Sequence, residues 1–224
     1  VNGRPTKSLV PLLLLWLVFG SCTNKADVKI LNAALLAATS QGDNAMIRKL
    51  LDKGADVDVK DRFGCTPLID AAKSGYTSTV KILLEKGAGV NEICIDDGAT
   101  ALIIAARKGY RDIVQILLDK GADVDKQDRG GETALIAAES YGHSAIARSL
   151  IEKGADINLT TQRGYTALMS AALRGDSEIV KALLAKGADL NGKTEQGLTA
   201  LNLAWQKRHL EVVELLKEAG GAAE

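Results

Sequence analysis

Apolar residues along most of this chain come in short helical bursts separated by polar stretches punctuated by glycine. Leu68, Ile69, Ala71 and Ala72 form one burst that stops at Gly75, and Val80, Ile82, Leu83 and Leu84 form a second that stops at Gly87. Thr66 and Pro67 precede the first burst. A threonine hydroxyl caps an opening turn, and a proline at the first helical position gives up an N–H that has no partner there. The pattern predicts two short helices folded back on one another, the second ended by a left-handed glycine.

The same pattern returns down the chain. Thr100-Ala101-Leu102, Thr133-Ala134-Leu135, Thr166-Ala167-Leu168 and Thr199-Ala200-Leu201 repeat the start signal. Gly54-Ala55-Asp56, Gly87-Ala88-Gly89, Gly121-Ala122-Asp123, Gly154-Ala155-Asp156, Gly187-Ala188-Asp189 and a degraded Gly220-Gly221-Ala222 repeat the stop signal, with glycines 33, 34, 33, 33 and 33 residues apart. A fixed period of this size means one supersecondary unit copied six times. Helices this short cannot bury an apolar face alone, so Leu50-Leu51, Leu83-Leu84, Leu117-Leu118, Leu150-Ile151, Leu183-Leu184 and Leu215-Leu216 must pack against neighbouring copies. The first copy, from about Asp27, lacks the threonine signal, and the last puts Arg208 where a glycine is expected, so both read as end caps.

The composite pattern G-x-T-[PA]-L-x-x-A-A-x-x-G-[YHD]-x-x-I-V-x-x-L-L-x-K-G-A-D resembles that of the ankyrin repeat over about residues 27–224. The resemblance implies an all-α repeat solenoid of six helix-turn-helix units joined by β-hairpin fingers. Val57 to Phe63 and Val124 to Gly130, polar and rich in turn residues, fit such fingers. The histidine common in that family after Thr-Pro-Leu is replaced by Ile69, Ile103, Ile136, Met169 and Asn202, which leaves the fold intact and removes the family's usual polar network.

Residues 1–21 differ in composition. Arg4 and Lys7 precede an apolar run from Leu9 to Phe19, and Gly20-Ser21-Cys22 follows. The run is far shorter than the roughly 20 apolar residues that span a bilayer as a helix, and it reads as an export signal. Small residues before a cysteine resemble the lipobox of bacterial lipoproteins, with Phe19 where that family has an aliphatic residue. The resemblance implies lipid attachment at Cys22, a tether over 22–26, and the repeat domain over 27–224. Thr23 rather than Asp after the cysteine implies an outer-membrane lipoprotein facing the periplasm. A plain secretory signal cut near Gly20 or Ser21, and an uncleaved anchor, are the alternatives. In such a compartment Cys65 and Cys94 are permitted to pair; as they hold different positions in the repeat, they are expected to be two separate, partly buried thiols.

Charge narrows the partner. The chain carries 28 basic and 28 acidic residues, and loss of residues 1–21 removes Arg4 and Lys7, leaving 26 against 28. Nucleic-acid binding calls for a basic excess or stripe, so no nucleic-acid partner is expected. Catalytic chemistry is thinly supplied. His143 and His209 lie two periods apart in one column with Tyr76, Tyr110 and Asp176, the repeated Asp56, Asp123, Asp156 and Asp189 read as turn residues, and no metal-ligand, phosphate-loop or nucleophile-elbow spacing occurs. No enzyme, cofactor or metal is expected, and the membrane is met only through the lipid.

Recognition should then reside where copies differ. Aligned on the glycine before the threonine, the finger tips read Asp61, Ile95, Asp128, Thr161, Thr194, then Arg62, Asp96, Arg129, Gln162, Glu195, then Phe63, Asp97, Gly130, Arg163, Gln196. The first helix adds a column of Asp70, Ile104, Ala137, Ser170 and Leu203, with Arg107 one turn later. Such finger tips and the first-helix face form the concave binding surface of arrays of this type. Glu139 stands where other copies have Ala72, Ala106 and Ala172, and is expected to be either exposed or paired with Arg107 or Arg174. Partner-contact candidates are Arg62, Phe63, Asp70, Ile95, Asp96, Asp97, Ile104, Arg107, Arg129, Glu139, Arg163 and Gln196. The expectation is a monomeric, envelope-tethered module that binds one protein, either as a scaffold or as an immunity or inhibitor lipoprotein neutralising a periplasmic toxin or enzyme.

Overall fold

The computed structural model describes residues 25–220, so the segment read as a signal peptide and Cys22 lie outside the described residues. Twelve helices follow in pairs. The pairs are α1 (Lys25–Gln41) with α2 (Asn44–Asp52), α3 (Pro67–Ser74) with α4 (Thr77–Glu85), and α5 (Ala101–Lys108) with α6 (Arg111–Asp119). They continue as α7 (Ala134–Tyr141) with α8 (Ser144–Glu152), α9 (Ala167–Arg174) with α10 (Ser177–Ala185), and α11 (Ala200–Lys207) with α12 (Leu210–Glu218). First helices pack on first helices and second on second, which makes an all-α solenoid. α1 begins at Lys25, inside the stretch read as a tether.

The local signals act as their chemistry requires. Thr66, Thr100, Thr133, Thr166 and Thr199 each accept the N–H three residues on, at 3.2–3.5 Å. Leu50, Leu83, Leu117, Leu150, Leu183 and Leu216 are each at most 1% exposed and form one column of the core. Stacking is also polar. Asp58, Asn91, Asp125 and Asn158 each accept the third N–H of the next unit's Gly-Ala-Asp or Gly-Ala-Gly turn at 2.8–3.1 Å, a rung at every junction they span, and Asn32 of α1 accepts the Asp56 N–H within the first unit (2.8 Å). The Asp of the triplet itself bonds the N–H two residues on, as at Asp56 (3.0 Å) and Asp156 (2.9 Å), the behaviour expected of a turn aspartate.

Between the helices of each pair, the residue after the left-handed position covers the glycine of the preceding unit: Tyr76 over Gly42, Tyr110 over Gly75, His143 over Gly109, His209 over Gly175. His143 Nε2–H donates to Arg107 O (3.2 Å) and His209 Nε2–H to Leu173 O (3.1 Å), so both histidines tie one unit to the last. Asp176 is too short to reach, and Arg174 covers Gly142 instead.

The fingers differ from full hairpins. Five of them, at about residues 55–65, 88–99, 122–132, 155–165 and 188–198, separate the units. Each has a closing backbone bond, such as Asp61 N–H to Cys65 O (3.0 Å) and Asp128 N–H to Glu132 O (3.1 Å), with a turn bond inside it, such as Gly64 N–H to Asp61 O (3.0 Å). Among the described residues there is no strand, only an isolated antiparallel bridge between Ile93 and Thr100. A turn glycine such as Gly64 (φ 72°) follows within three residues of the closing bond, leaving no length for a ladder.

Candidate partner-binding face

The finger tips are connected from one unit to the next. Arg129 N–H donates to Asp97 O (2.8 Å), Gln162 N–H to Gly130 O (2.7 Å) and Glu195 N–H to Arg163 O (3.0 Å), joining the second finger to the third, the third to the fourth and the fourth to the fifth. Among the described residues no such bond joins the first finger to the second. There Cys65 and Cys94 form a disulfide, with Cα atoms 4.2 Å apart.

This overturns the expectation of two separate thiols, and the cause is register. The extra residue of the second finger makes its closing bond run from Cys94 N–H to Ala99 O (3.0 Å), where the first finger uses Asp61 and Cys65. Cys94, not Ile95, therefore occupies the column of Asp61, Asp128, Thr161 and Thr194. In that column Asp61 Oδ1 accepts the Cys65 N–H (2.8 Å) and Asp128 Oδ1 the Glu132 N–H (2.9 Å). A cysteine cannot do so, and Asp97 Oδ1 accepts the Ala99 N–H instead (3.0 Å). Two residues at different repeat positions meet because adjacent fingers stack.

Displaced by one residue, the second finger exposes Ile95 (58%) and Ile93 (42%), and Ile95 lies against Gly64 of the first finger. Phe63 (46% exposed) completes an apolar tip, with the Arg62 guanidinium 4.6 Å above its ring. Arg62, Asp96, Asp97, Arg129, Arg163 and Gln196 are all exposed, and Asp70 is half-buried. Burial, and then repulsion from Asp61, push the Asp70 carboxyl above its ordinary value against the pull of Lys73.

Other candidates fall away from the exposed face. Ile104 is 7% exposed, and its column neighbours Ala137, Ser170 and Leu203 are buried as well, because this side of the first helix packs on the next unit. Arg107 is held internally: its Nη2 meets Glu132 Oε2 at 2.6 Å and Asp128 Oδ2 at 2.9 Å. Burial opposes that charge, but the hydrogen bond and charge of Glu132, with Asp128, hold the guanidinium above its ordinary value.

Glu139 is neither exposed nor paired. It is 1% exposed, and neither carboxylate oxygen has a hydrogen-bond partner. Burial, reinforced by Asp176 and only partly offset by Arg174, pushes its carboxyl up to about 8. Arg107 is engaged by the third finger, and Arg174 is drawn over Gly142.

Two grooves lie between fingers and first helices. One of about 470 Å³ runs between units two and three, lined by Asp61, Phe63, Asp70, Lys73, Asp96 and Ile104 among others. Another of about 600 Å³ runs between units four and five, lined by Ser140, Gln162, Arg163, Leu173 and Arg174 among others. Among the described residues no group of three or more His, Cys, Asp or Glu is placed to hold a metal, and no helix is long and apolar enough to cross a membrane.

The model of ankyrin repeats (three copies) matches residues 7–94, 34–128, 90–161 and 136–223 in overlapping alignments. Similar curated proteins include the ankyrin repeat and KH domain-containing protein mask of Drosophila melanogaster, 43% identical over 60 residues, or 27% of this chain and 2% of that one. The putative ankyrin repeat protein FPV243 of fowlpox virus is 44% identical over 52 residues, covering 23% of this chain and 20% of its own. Zebrafish inversin is 40% identical over 62 residues, covering 27% and 6%. The chain thus spans at most a fifth of these relatives' lengths. With its period, its stacked helix pairs and a family model matching nearly its whole length, the chain belongs to the ankyrin repeat family.

Proposed function

We propose that this chain is a non-enzymatic protein–protein interaction module that holds one protein partner against its finger tips and the grooves behind them. The observation that carries the reading is a division of labour between repeated and unrepeated residues. Those repeated from unit to unit, the threonine caps, the leucine column and the Asn/Asp rungs, are turned inward or used between units. The unrepeated ones, Arg62, Phe63, Ile95, Asp96, Arg129, Arg163 and Gln196, stand exposed along one edge. Side chains that vary along a rigid scaffold are what a partner reads.

The sequence before the array supports an envelope setting, with Cys22 lipidated and the array facing an exported compartment. The Cys65–Cys94 disulfide is at home where thiols are oxidised. Capture from an envelope extract, repeated with Arg62, Arg129 and Arg163 changed together to Glu, tests the face. A partner lost from the variant is expected, and an unaltered set of captured proteins would refute the finger surface. Cys22→Ser should release the chain from membranes; continued membrane attachment would rule out the lipid anchor.

A further inference from the structure

Charge on the second helices and at their C-caps is largely matched between adjacent units. Arg48 meets Glu85 (3.6 Å), Lys86 meets Asp52 (2.6 Å), Lys153 meets Asp119 (3.3 Å) and Lys181 meets Glu211 (3.2 Å). The groove between units two and three is different. Asp61, Asp70, Asp96 and Asp97 line it, and none forms an ion pair among the described residues. Three cations share its walls, Lys73, Arg107 and Lys108, and Arg107 is already consumed by Asp128 and Glu132.

Bulky apolar side chains stand beside these carboxylates. Phe63 lines the groove at its mouth and Ile95 is exposed at the adjoining tip, while Ile104 forms part of its wall. The disulfide between the two fingers sits in the lining, so this is also the one junction where the finger tips are held covalently. A pre-organised cleft loses less conformational entropy on binding than a mobile one.

We propose that the groove between units two and three docks a cationic polypeptide segment that carries a bulky apolar side chain, which rests on the reading of the array as a protein-binding module. Lysine or arginine of the segment meets Asp70 and Asp96, and its apolar side chain packs on Phe63 and Ile95. The unpaired carboxylates disfavour an anionic partner by the same charge. The groove between units four and five, with Arg163 and Arg174 in its wall and its carboxylates Asp128 and Glu132 already paired with Arg107, lacks this acidic excess.

The test is fluorescence anisotropy of the oxidised protein with labelled synthetic peptides of about 12 residues, long enough in extended form to cross the groove. One peptide has lysines and arginines around a central Leu-Phe pair, a second has the basic residues replaced by Glu, and a third replaces Leu-Phe by Ser-Ser. The first is expected to bind and to weaken with added salt, and the other two to bind at least about tenfold more weakly, as loss of charge complementarity or of an apolar anchor implies. Asp96→Lys, at an exposed position, and the double change Asp70→Lys with Asp96→Lys should weaken the first peptide by about tenfold or more, while Lys186→Glu, at the exposed end of α10 and away from the groove, should leave it unchanged.

Equal binding of the acidic peptide, or no effect of Asp96→Lys, overturns the proposal. A captured partner that is lost on changing Arg129 and Arg163 but not on changing Asp96 also overturns it, while leaving the module reading intact. Failure of every variant to alter capture counts against both.

Discussion

Cys65 and Cys94 are bonded at the one finger junction, among those described, that lacks a backbone hydrogen bond between tips. The disulfide closes a loop with a sequence separation of 29 residues. In the chain-entropy view, closing a loop of this size contributes about 2–4 kcal/mol. Urea unfolding with and without a dithiol reductant should show that loss, as should the variant with both cysteines changed to Ser. Free-thiol titration of the folded protein should find neither cysteine reactive before reduction. Two reactive thiols and an unmoved midpoint would count against the bond.

Arg208 is the only described non-glycine residue with positive φ, at 60°, in the column that Gly75, Gly109, Gly142 and Gly175 fill elsewhere. An L-residue is strained there and glycine is not. Arg208→Gly should raise stability by about 0.5–1 kcal/mol, less than the full strain because glycine also gains freedom in the unfolded chain. Thermal melts of the two proteins decide it; a lower melting temperature for the glycine variant would mean that the Arg208 side chain contributes more than its backbone costs.

Arg107 bridges from α5 to the third finger, meeting Asp128 and Glu132 across one unit boundary. Half-buried and hydrogen-bonded to both, this ion pair should be stronger than an exposed one. Arg107→Ala is expected to cost about 1–3 kcal/mol, since it leaves two neighbouring carboxylates facing each other. A double-mutant cycle separates it from the pairing suggested by the sequence: Arg107 with Glu132 should couple by about 1 kcal/mol or more, and Arg107 with Glu139 by roughly nothing.

Period alone made most of the fold readable. Once each glycine was assigned to a column, the caps, the core leucines and the positions of His143 and His209 followed, because a repeated residue serves the repeated unit. What escaped was contact between columns. The Cys94 register depends on which residue of the second finger donates the closing bond, and the insertion shifts that by one. The Arg107 choice of Glu132 over Glu139 depends on which way each side chain leaves its helix. The column of Ile104 looked exposed because it varies, but it varies among residues packed on the next unit. Cys94 carried a usable signal: aligned from the Gly-Ala-Gly side rather than from the threonine, it falls in the column of Asp61.

Glu139 gives the array a pH dependence whose sign follows from its surroundings. The folded state raises the carboxyl from an ordinary 4.5 to about 8, through burial and then Asp176, so folding favours the protonated form. Below about pH 4.5 the group is protonated whether the chain is folded or not, and it costs nothing in ionisation. Between about 4.5 and 8 the unfolded chain releases the proton and the folded one keeps it, so stability falls as pH rises, by up to about 1.4 kcal/mol for each pH unit. Above about 8 both states are ionised and the loss is constant. Glu139→Ala restores the residue of its column and removes this dependence. Its gain over the parent chain should be small at acidic pH and reach about 2–4 kcal/mol by the alkaline side of neutrality, for an unpartnered buried carboxylate. The measurement is the difference in urea-unfolding free energy between the two proteins across that pH range. Subtraction cancels the titrating groups that do not act on Glu139, so a gain of equal size at every pH would show that Glu139 is hydrated or paired in solution.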